Sequence, residues 1–153
     1  MKGKLLELLD SYGVSYEVIE HGEVVTVDDV FRELGISHGE MVKAIVLKDK
    51  RTGDLMLAAL PGDKRISRAK AAKAFGLSRS RVDLAPTSEV EKRLNVKIGA
   101  IPPFGLGIRT AFDESISAET VYCGLGEGSS SLRIRRVDLM LVVKPAVVTD
   151  LCR

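Results

Sequence analysis

Lys43 is a lone charge inside an apolar run, and its chemistry is the first that the sequence singles out. The run occupies residues 41–47 and is rich in Val, Ile and Leu, which predicts a β-strand. Side chains alternate along a strand, so Lys43 shares one face with Met41, Ile45 and Leu47. An ammonium in this position must reach water, guard a sheet edge against unwanted pairing, or bind an anion in a pocket.

The loop Gly99-Ala100-Ile101-Pro102-Pro103-Phe104-Gly105 is a second candidate. Its prolines exclude both a helix interior and a central strand. A glycine followed by two prolines makes a rigid, open turn, and we expect the backbone N–H groups of Ala100 and Ile101 to face a ligand. Such donors stabilise the oxyanion that forms during acyl hydrolysis. A plain connector between a helix and a strand is the alternative.

A block of seven basic residues without an acid runs from Lys64 to Arg81. A like-sign block attracts phosphate backbones through counterion release, so it favours a nucleic-acid partner. Arg65, Arg68 and Lys70 are the candidate RNA contacts. A solvated helix face is the alternative.

Conventional catalytic sets are thin. Cys123 ends an apolar strand, where a buried thiol is expected rather than a nucleophile, although a Cys–His pair with His21 stays open. Asp113 and Glu114 are adjacent, so they point to opposite sides of a strand and form no acid–base dyad. His21 and His38 lack the spacing of a zinc site, and we expect no metal and no cofactor.

A chain of 153 residues is most simply one domain, 1–153. No transmembrane segment or secretory signal is predicted, and two cysteines suit a reducing cytoplasm. Helices and strands mix without a strict βαβ rhythm, which predicts a mixed α/β (α+β) fold, with a mixed β-sheet or partial barrel flanked by helices. Helices are expected over 4–10, 26–34 (capped by Thr26), 67–76, 88–94 (opened by a capping box at Ser88) and 136–141. Strands are expected over 14–20, 41–47, 55–60, 82–84, 108–112, 120–123, 132–134 and 146–149.

Several short motifs follow one another along the chain. In order they are His21 with Thr26-Val27-Asp28-Asp29, the Lys43 strand, Pro61-Gly62-Asp63, the Gly99 loop, Asp113-Glu114-Ser115, Cys123-Gly124-Leu125-Gly126 and Asp138-Leu139. This order and spacing resemble the YbaK family of aminoacyl-tRNA deacylases, which also occur as the editing domain inserted in bacterial prolyl-tRNA synthetases. The resemblance spans roughly residues 16–142.

The resemblance implies a pocket beside the sheet. Lys43 would hold the acceptor end of the tRNA, and Gly99 would bound the pocket and position the ester carbonyl, so these two are the predicted catalytic residues. The residues predicted to bind substrate are His21, Thr26, Ala44, Ala100, Ile101, Pro102, Pro103, Asp113, Gly124 and Gly126. The family uses no metal and no serine or cysteine nucleophile, which implies that a water or a substrate group attacks the ester.

The expected function is therefore a freestanding editing factor that hydrolyses the ester of a mischarged aminoacyl-tRNA. The resemblance points to tRNA(Pro) carrying alanine or cysteine, with prolyl-tRNA synthetase a candidate partner. Many relatives follow the lysine with Thr, Ser or Asn, whereas this chain has Ala44, so the amino acid stays open. The alternatives are a non-catalytic module that binds tRNA, a synthetase or an aminoacyl adenylate, and a thiol hydrolase using Cys123.

Overall fold

The computed structural model describes residues 1–22 and 27–153. Thr26, predicted to cap a helix and to bind substrate, lies outside the described residues. The described helices are α1 (Lys2–Ser11), α2 (Val27–Leu34), α3 (Arg68–Ala74), α4 (Thr87–Leu94) and α5 (Arg136–Val143). The described strands are β1 (Tyr16–Glu20), β2 (Val42–Asp49), β3 (Leu55–Pro61), β4 (Val82–Leu84), β5 (Arg109–Asp113), β6 (Thr120–Gly124), β7 (Ser130–Arg135) and β8 (Val147–Thr149).

These strands form two sheets. A five-stranded sheet has the order β4-β2-β3-β5-β8, in which β2 is antiparallel to β3 and β4, and β5 is parallel to β3 and β8. A three-stranded antiparallel sheet has the order β1-β7-β6. A parallel bridge between Met41 and Tyr122 connects the two sheets. The mixed α+β fold is therefore confirmed, with the strands divided between two sheets rather than gathered in one.

One edge of β2 is only partly covered by its neighbour. The edge of β2 that faces β3 is paired from Val42 to Lys48. On the opposite edge, β4 pairs only with residues 47–49, and the Ala85 N–H donates to the Val46 carbonyl at 3.0 Å. Residues 42–45 therefore have no ladder partner from β4, and a cavity lies along this open edge.

The core is built around β3, all seven residues of which are buried. Leu57 and Ala59 belong to the larger cluster, which also receives Leu5 and Leu9 from α1. On the opposite face of the sheet, Leu60 packs in a second cluster with α3. Each fully buried leucine stabilises the fold by about 1.5–3 kcal/mol, so β2 is held rigidly beside β3.

The predicted elements agree closely with the observed ones, with one correction at α4. The expected capping box at Ser88 is wrong, because the helix begins at Thr87 after Pro86 and no side chain caps it. Proline presets the backbone for a helix start, so Ser88 lies within the first turn. The predicted cap of α3 is confirmed, since the Ser67 hydroxyl accepts from the Lys70 N–H at 3.2 Å. None of the described helices is long and apolar enough to cross a membrane.

Candidate active site

A cavity of about 330 Å³ lies along the open edge of β2. Among the residues that the structure describes, Lys43 is the single charged group in its wall. The other lining residues are apolar or glycine: Met41, Val42, Ala44, Ile45, Val46, Leu84, Ala85, Val90, Ile98, Gly99, Ile101 and Gly124. The structure therefore brings together Lys43, Ala44, Gly99, Ile101 and Gly124 of the predicted site.

Lys43 is half-buried, and no ion pair with a residue in the described ranges holds its ammonium. Burial lowers its pKa from the ordinary value, and nearby Arg65 adds to this effect, whereas Cys152 and Asp63 oppose it. A lysine whose charge is disfavoured by burial gains from an incoming anion, because that anion restores the interaction lost on leaving water. The position suits contact with a phosphate or a developing oxyanion.

The main chain of β2 supplies polar groups to this otherwise apolar wall. The Val46 carbonyl accepts from Ala85, so it points toward the open edge. Backbone groups of alternate strand residues point to the same edge, and therefore the N–H and C=O of Ala44 face this edge too. Because β4 does not extend along residues 42–45, the Ala44 backbone groups are available to a ligand.

The loop that carries Gly99 is shaped by backbone hydrogen bonds. Gly99 has φ +88°, a conformation that side chains disfavour. The Ala100 N–H donates to the Lys97 carbonyl at 3.0 Å, so the expectation that this donor faces a ligand is wrong. In the described part of the chain, the N–H groups of Gly99 and Ile101 have no acceptor. These two are the candidate oxyanion donors.

The turn after β6 packs tightly against the same loop. A Cβ on Gly124 would lie 2.4 Å from the carbonyl carbon and oxygen of Ala100, so only glycine fits there. The Gly126 N–H donates to the Ala100 carbonyl at 2.7 Å, and the Gly126 carbonyl accepts from Lys97 at 2.9 Å. Ala100 and Gly126 are not in the cavity wall. They hold the loop in place.

Three other predicted pocket residues lie away from the cavity wall. Pro102 and Pro103 are buried and carry the chain away from it. Asp113 is buried at the end of β5, where its carboxylate accepts from the Leu151 N–H at 2.7 Å, from the Ser115 N–H at 3.0 Å and from the Ser115 hydroxyl. The Asp113 carboxylate therefore organises a turn and a neighbouring strap of chain rather than facing the cavity.

His21 lies beside the three-stranded sheet and does not line the cavity on the open edge of β2. Its Nδ1 is 2.6 Å from the Gly22 carbonyl oxygen, which can only accept, so Nδ1 carries a proton. Its Nε2 is 2.8 Å from the Ser131 hydroxyl. The hypothesis of a Cys–His pair is wrong, because Cys123 is fully buried and burial raises the pKa of its thiol.

A second, more polar cavity of about 290 Å³ lies on the other side of Lys43. The rings of Phe31 and His38 stack in its wall, with centroids 3.7 Å apart and an interplanar angle of 12°. The wall also contains Lys43, Gly62 and charged residues at its rim, namely Asp28, Asp63, Lys64 and Arg65. The sequence interpretation missed Phe31 and His38, because it considered His38 only as a zinc ligand and no local pattern links it to Phe31.

Much of the basic block is engaged within the molecule. Arg68 pairs with Asp83 at 2.6 Å. Lys70 pairs with Asp150 at 2.5 Å and donates to the Cys152 carbonyl at 2.7 Å. Arg65 remains exposed and forms no ion pair with any residue of the described ranges.

Asp113, Asp150 and Cys152 form a trio of potential metal ligands, with ligand atoms within 4.8 Å of one another. Both carboxylates of the trio already accept hydrogen bonds from neighbouring groups of the protein. Asp113 accepts from Leu151 and Ser115, and Asp150 accepts from Lys70 and from the Cys152 N–H. Burial and the neighbouring Asp113 raise the pKa of the Cys152 thiol to about 11. We therefore interpret the trio as a hydrogen-bonded structural cluster and not as a metal site.

Comparison with known proteins places these features in a family. The family model described as the aminoacyl-tRNA editing domain matches residues 21–141. The multifunctional Ser/Thr-tRNA deacylase ProXp-y of Escherichia coli K12 is 32% identical over 103 residues, which cover 66% of this chain and 60% of that protein. The proline–tRNA ligase of Thermoanaerobacter sp. strain X514 is 26% identical over 130 residues, covering 84% of this chain and 22% of the ligase. The matches therefore span about three-fifths of the deacylase and one-fifth of the ligase.

The fold has a close counterpart among solved structures. The crystal structure of hypothetical protein APE2540 superposes with a TM-score of 0.87 at 26% sequence identity, covering 98% of this chain and 99% of that one. The two sheets and their flanking helices are therefore an architecture already seen in nature.

Proposed function

The chain belongs to the aminoacyl-tRNA editing domain family, and we propose that it hydrolyses the ester of a mischarged aminoacyl-tRNA as a freestanding factor. The observation that carries the proposal is the cavity on the open edge of β2. Among the described residues, it combines apolar walls, one cation at Lys43 and main-chain donors at Gly99 and Ile101 that have no acceptor. Its place of action would be the cytoplasm.

The proposed reaction needs no strong base in the cavity wall. A water attacks the acyl carbon and gives up a proton to a hydroxyl of the substrate, and negative charge develops on the carbonyl oxygen. The N–H groups of Gly99 and Ile101 stabilise that oxyanion, and the ribose oxygen leaves with a proton. An aminoacyl ester is already activated, so positioning and oxyanion stabilisation supply most of the acceleration. Lys43 would hold the acceptor end by its charge.

The apolar wall favours an uncharged, apolar aminoacyl side chain. No hydroxyl, amide or carboxylate side chain lines this cavity among the described residues. A serine or threonine hydroxyl placed there would find main-chain groups but no described side chain to replace its hydrogen bonds to water, which disfavours it relative to an apolar side chain. We therefore propose alanine or cysteine as the acyl group, and the match to a proline–tRNA ligase supports tRNA(Pro) as its carrier and prolyl-tRNA synthetase as a candidate partner. Arg65, Arg68 and Lys70 remain the proposed RNA contacts. Arg68 and Lys70 also form ion pairs with carboxylates of the protein.

A panel of mischarged tRNAs tests the proposal. Alanyl-, cysteinyl-, seryl- and threonyl-tRNAs are incubated with the purified protein, and loss of the ester is followed over time. We expect hydrolysis of the alanyl or cysteinyl ester to exceed that of the seryl ester. Ala44→Ser adds a hydroxyl to the cavity wall and should narrow this preference, whereas Ala69→Ser, on the exposed surface of α3, serves as the matched control. Binding without hydrolysis of any ester would instead support a non-catalytic module.

A further inference from the structure

The second cavity shares a wall with the first. Lys43 lines both, and Met41 lines the first while packing against Phe31 of the second. The two cavities are therefore adjacent, and a ligand that fills the first and extends past Lys43 toward Phe31 reaches the second.

Resting on the proposed function, we infer that this second cavity binds the 3′-terminal nucleotide of the RNA. The base would stack on His38, and the phosphate would contact Lys64 and Arg65. The aminoacyl group then occupies the apolar cavity, and the ester lies beside Lys43.

The stacked rings provide the surface for the base. Phe31 is half-buried and packs with Met41, whereas His38 is exposed. The parallel arrangement of the two rings extends an aromatic platform outward from the core. Aromatic side chains in such positions bind the faces of unpaired bases, largely without regard to sequence.

The cations provide the contact for the phosphate. Lys64 and Arg65 are exposed at the rim and form no ion pair with a described residue, unlike Arg68 and Lys70. The carboxylates of Asp28 and Asp63 share the cavity. They oppose a phosphate placed next to them, but they can accept hydrogen bonds from ribose hydroxyls or from an exocyclic amine. Among the lining residues that the structure describes, three cations, counting Lys43, face two carboxylates, so these residues together carry a net positive charge.

The order of chemical groups in the substrate matches the order of the walls. In an aminoacyl-tRNA the acyl group is on the ribose 2′ or 3′ oxygen, while the phosphate is on the 5′ side. The apolar cavity, Lys43 and the cationic rim follow one another in the same sequence. An aminoacyl adenylate has its phosphate between the acyl group and the ribose, so Lys64 and Arg65 would then contact no phosphate.

Binding of AMP, adenosine and inorganic phosphate, followed by backbone amide NMR shifts, tests the inference without catalysis. We expect AMP to shift residues around His38 and Lys64 and to bind more tightly than adenosine or phosphate. His38→Ala should weaken AMP binding about five- to hundredfold, from the loss of one stacking contact. Phe31→Leu keeps an apolar side chain and should weaken it less.

The double variant Lys64→Ala/Arg65→Ala should bind AMP no better than adenosine. The matched control is Lys50→Ala/Arg51→Ala, an exposed pair of the same composition in the β2–β3 turn, about 20 Å along the strand from Lys43. AMP shifts at another surface, or equal losses in the two double variants, would overturn the inference.

Kinetics with a mischarged minihelix separate this inference from the proposed function. His38→Ala should raise KM about five- to hundredfold while kcat changes less than about threefold. If no ester is hydrolysed but AMP still maps to His38, the proposed function fails and the nucleotide site stands. If esters are hydrolysed but His38→Ala leaves KM unchanged, the nucleotide site is refuted. Competition by a non-hydrolysable aminoacyl adenylate analogue, but not by the uncharged minihelix, would also refute it.

Discussion

Replacing Lys43 by alanine separates a catalytic role from a structural one. A charge-assisted contact contributes roughly 1.5–3 kcal/mol, so its loss should slow deacylation about ten- to hundredfold. The effect should be larger if the contact strengthens in the transition state. Lys43→Arg keeps the charge but changes its shape and reach, and should restore only part of the rate. The assay is single-turnover hydrolysis of a mischarged tRNA at saturating protein.

Removing the charge of Lys43 also has a defined effect on the free energy of unfolding. Lys43 forms no ion pair with a residue in the described part of the chain, and burial lowers its pKa below the ordinary value of 10.5. Its charged form therefore opposes folding at neutral pH. Lys43→Met removes the charge and keeps an apolar stem, so its free energy of unfolding should equal or exceed that of the parent. The parent should recover this difference as pH rises from the folded-state pKa toward 10.5.

Lys48→Ala is the matched control on the same strand. Lys48 is half-buried and pairs with Glu89 at 2.8 Å, so its loss should cost at most about 1 kcal/mol and leave deacylation unchanged. Thermal unfolding and circular dichroism establish that all variants are folded. A Lys43→Ala protein that folds normally and deacylates at the parent rate would refute the assignment and return Lys43 to the role of an edge residue.

Three further substitutions probe the frame around the site. Gly124→Ala places a Cβ 2.4 Å from the Ala100 carbonyl group and should cost about 1–3 kcal/mol of stability and displace the Gly99 loop; thermal unfolding beside rate measurements checks this, and an unchanged protein would contradict it. Cys123→Ala should keep the parent deacylation rate, because burial keeps that thiol protonated; an inactive, folded variant would revive the thiol mechanism. The Arg81 side chain lowers the pKa of the Asp49 carboxyl from 3.8 to about 2. The Asp49–Arg81 pair therefore stabilises the folded protein above pH 4, and this contribution is lost as pH falls through about 2. Urea unfolding across this range should show that loss in the parent and not in Asp49→Asn.

The elements could be predicted because their signals are local. The strand that carries Lys43 and its hairpin partner follow from apolar runs on either side of a turn, and β2 and β3 pair in that way. The composition of the glycine–proline loop predicted a segment that faces a ligand, and the structure places its Gly99 and Ile101 in the cavity wall. The hydrogen bonds of the loop's N–H groups could not be predicted. The Ala100 N–H donates to the Lys97 carbonyl, and composition does not encode such a backbone bond.

The cavity and the partners of the basic block depend on pairing between distant residues. The open edge of β2 exists because β4 is short, which only the register of the sheet reveals. Lys70 meets Asp150, eighty residues away in the chain. Phe31 and His38 stack because a helix and a short 3₁₀ turn (His38–Glu40) come together. No periodicity in the sequence carries this information.

The pairing of β1 with β7 has a consequence for synthesis of the chain. Tyr16 pairs with Ile134, so the first strand has no sheet partner until nearly all of the chain has been made. At a translation rate of roughly 5–20 residues per second this delay is on the order of 6–24 seconds. Until Phe104 and the strands that follow it have been made, Leu5 and Leu9 of α1 lack most of the core that buries them. The nascent chain therefore exposes the apolar face of α1 early and buries it late. We expect this topology to make the chain dependent on chaperones during translation.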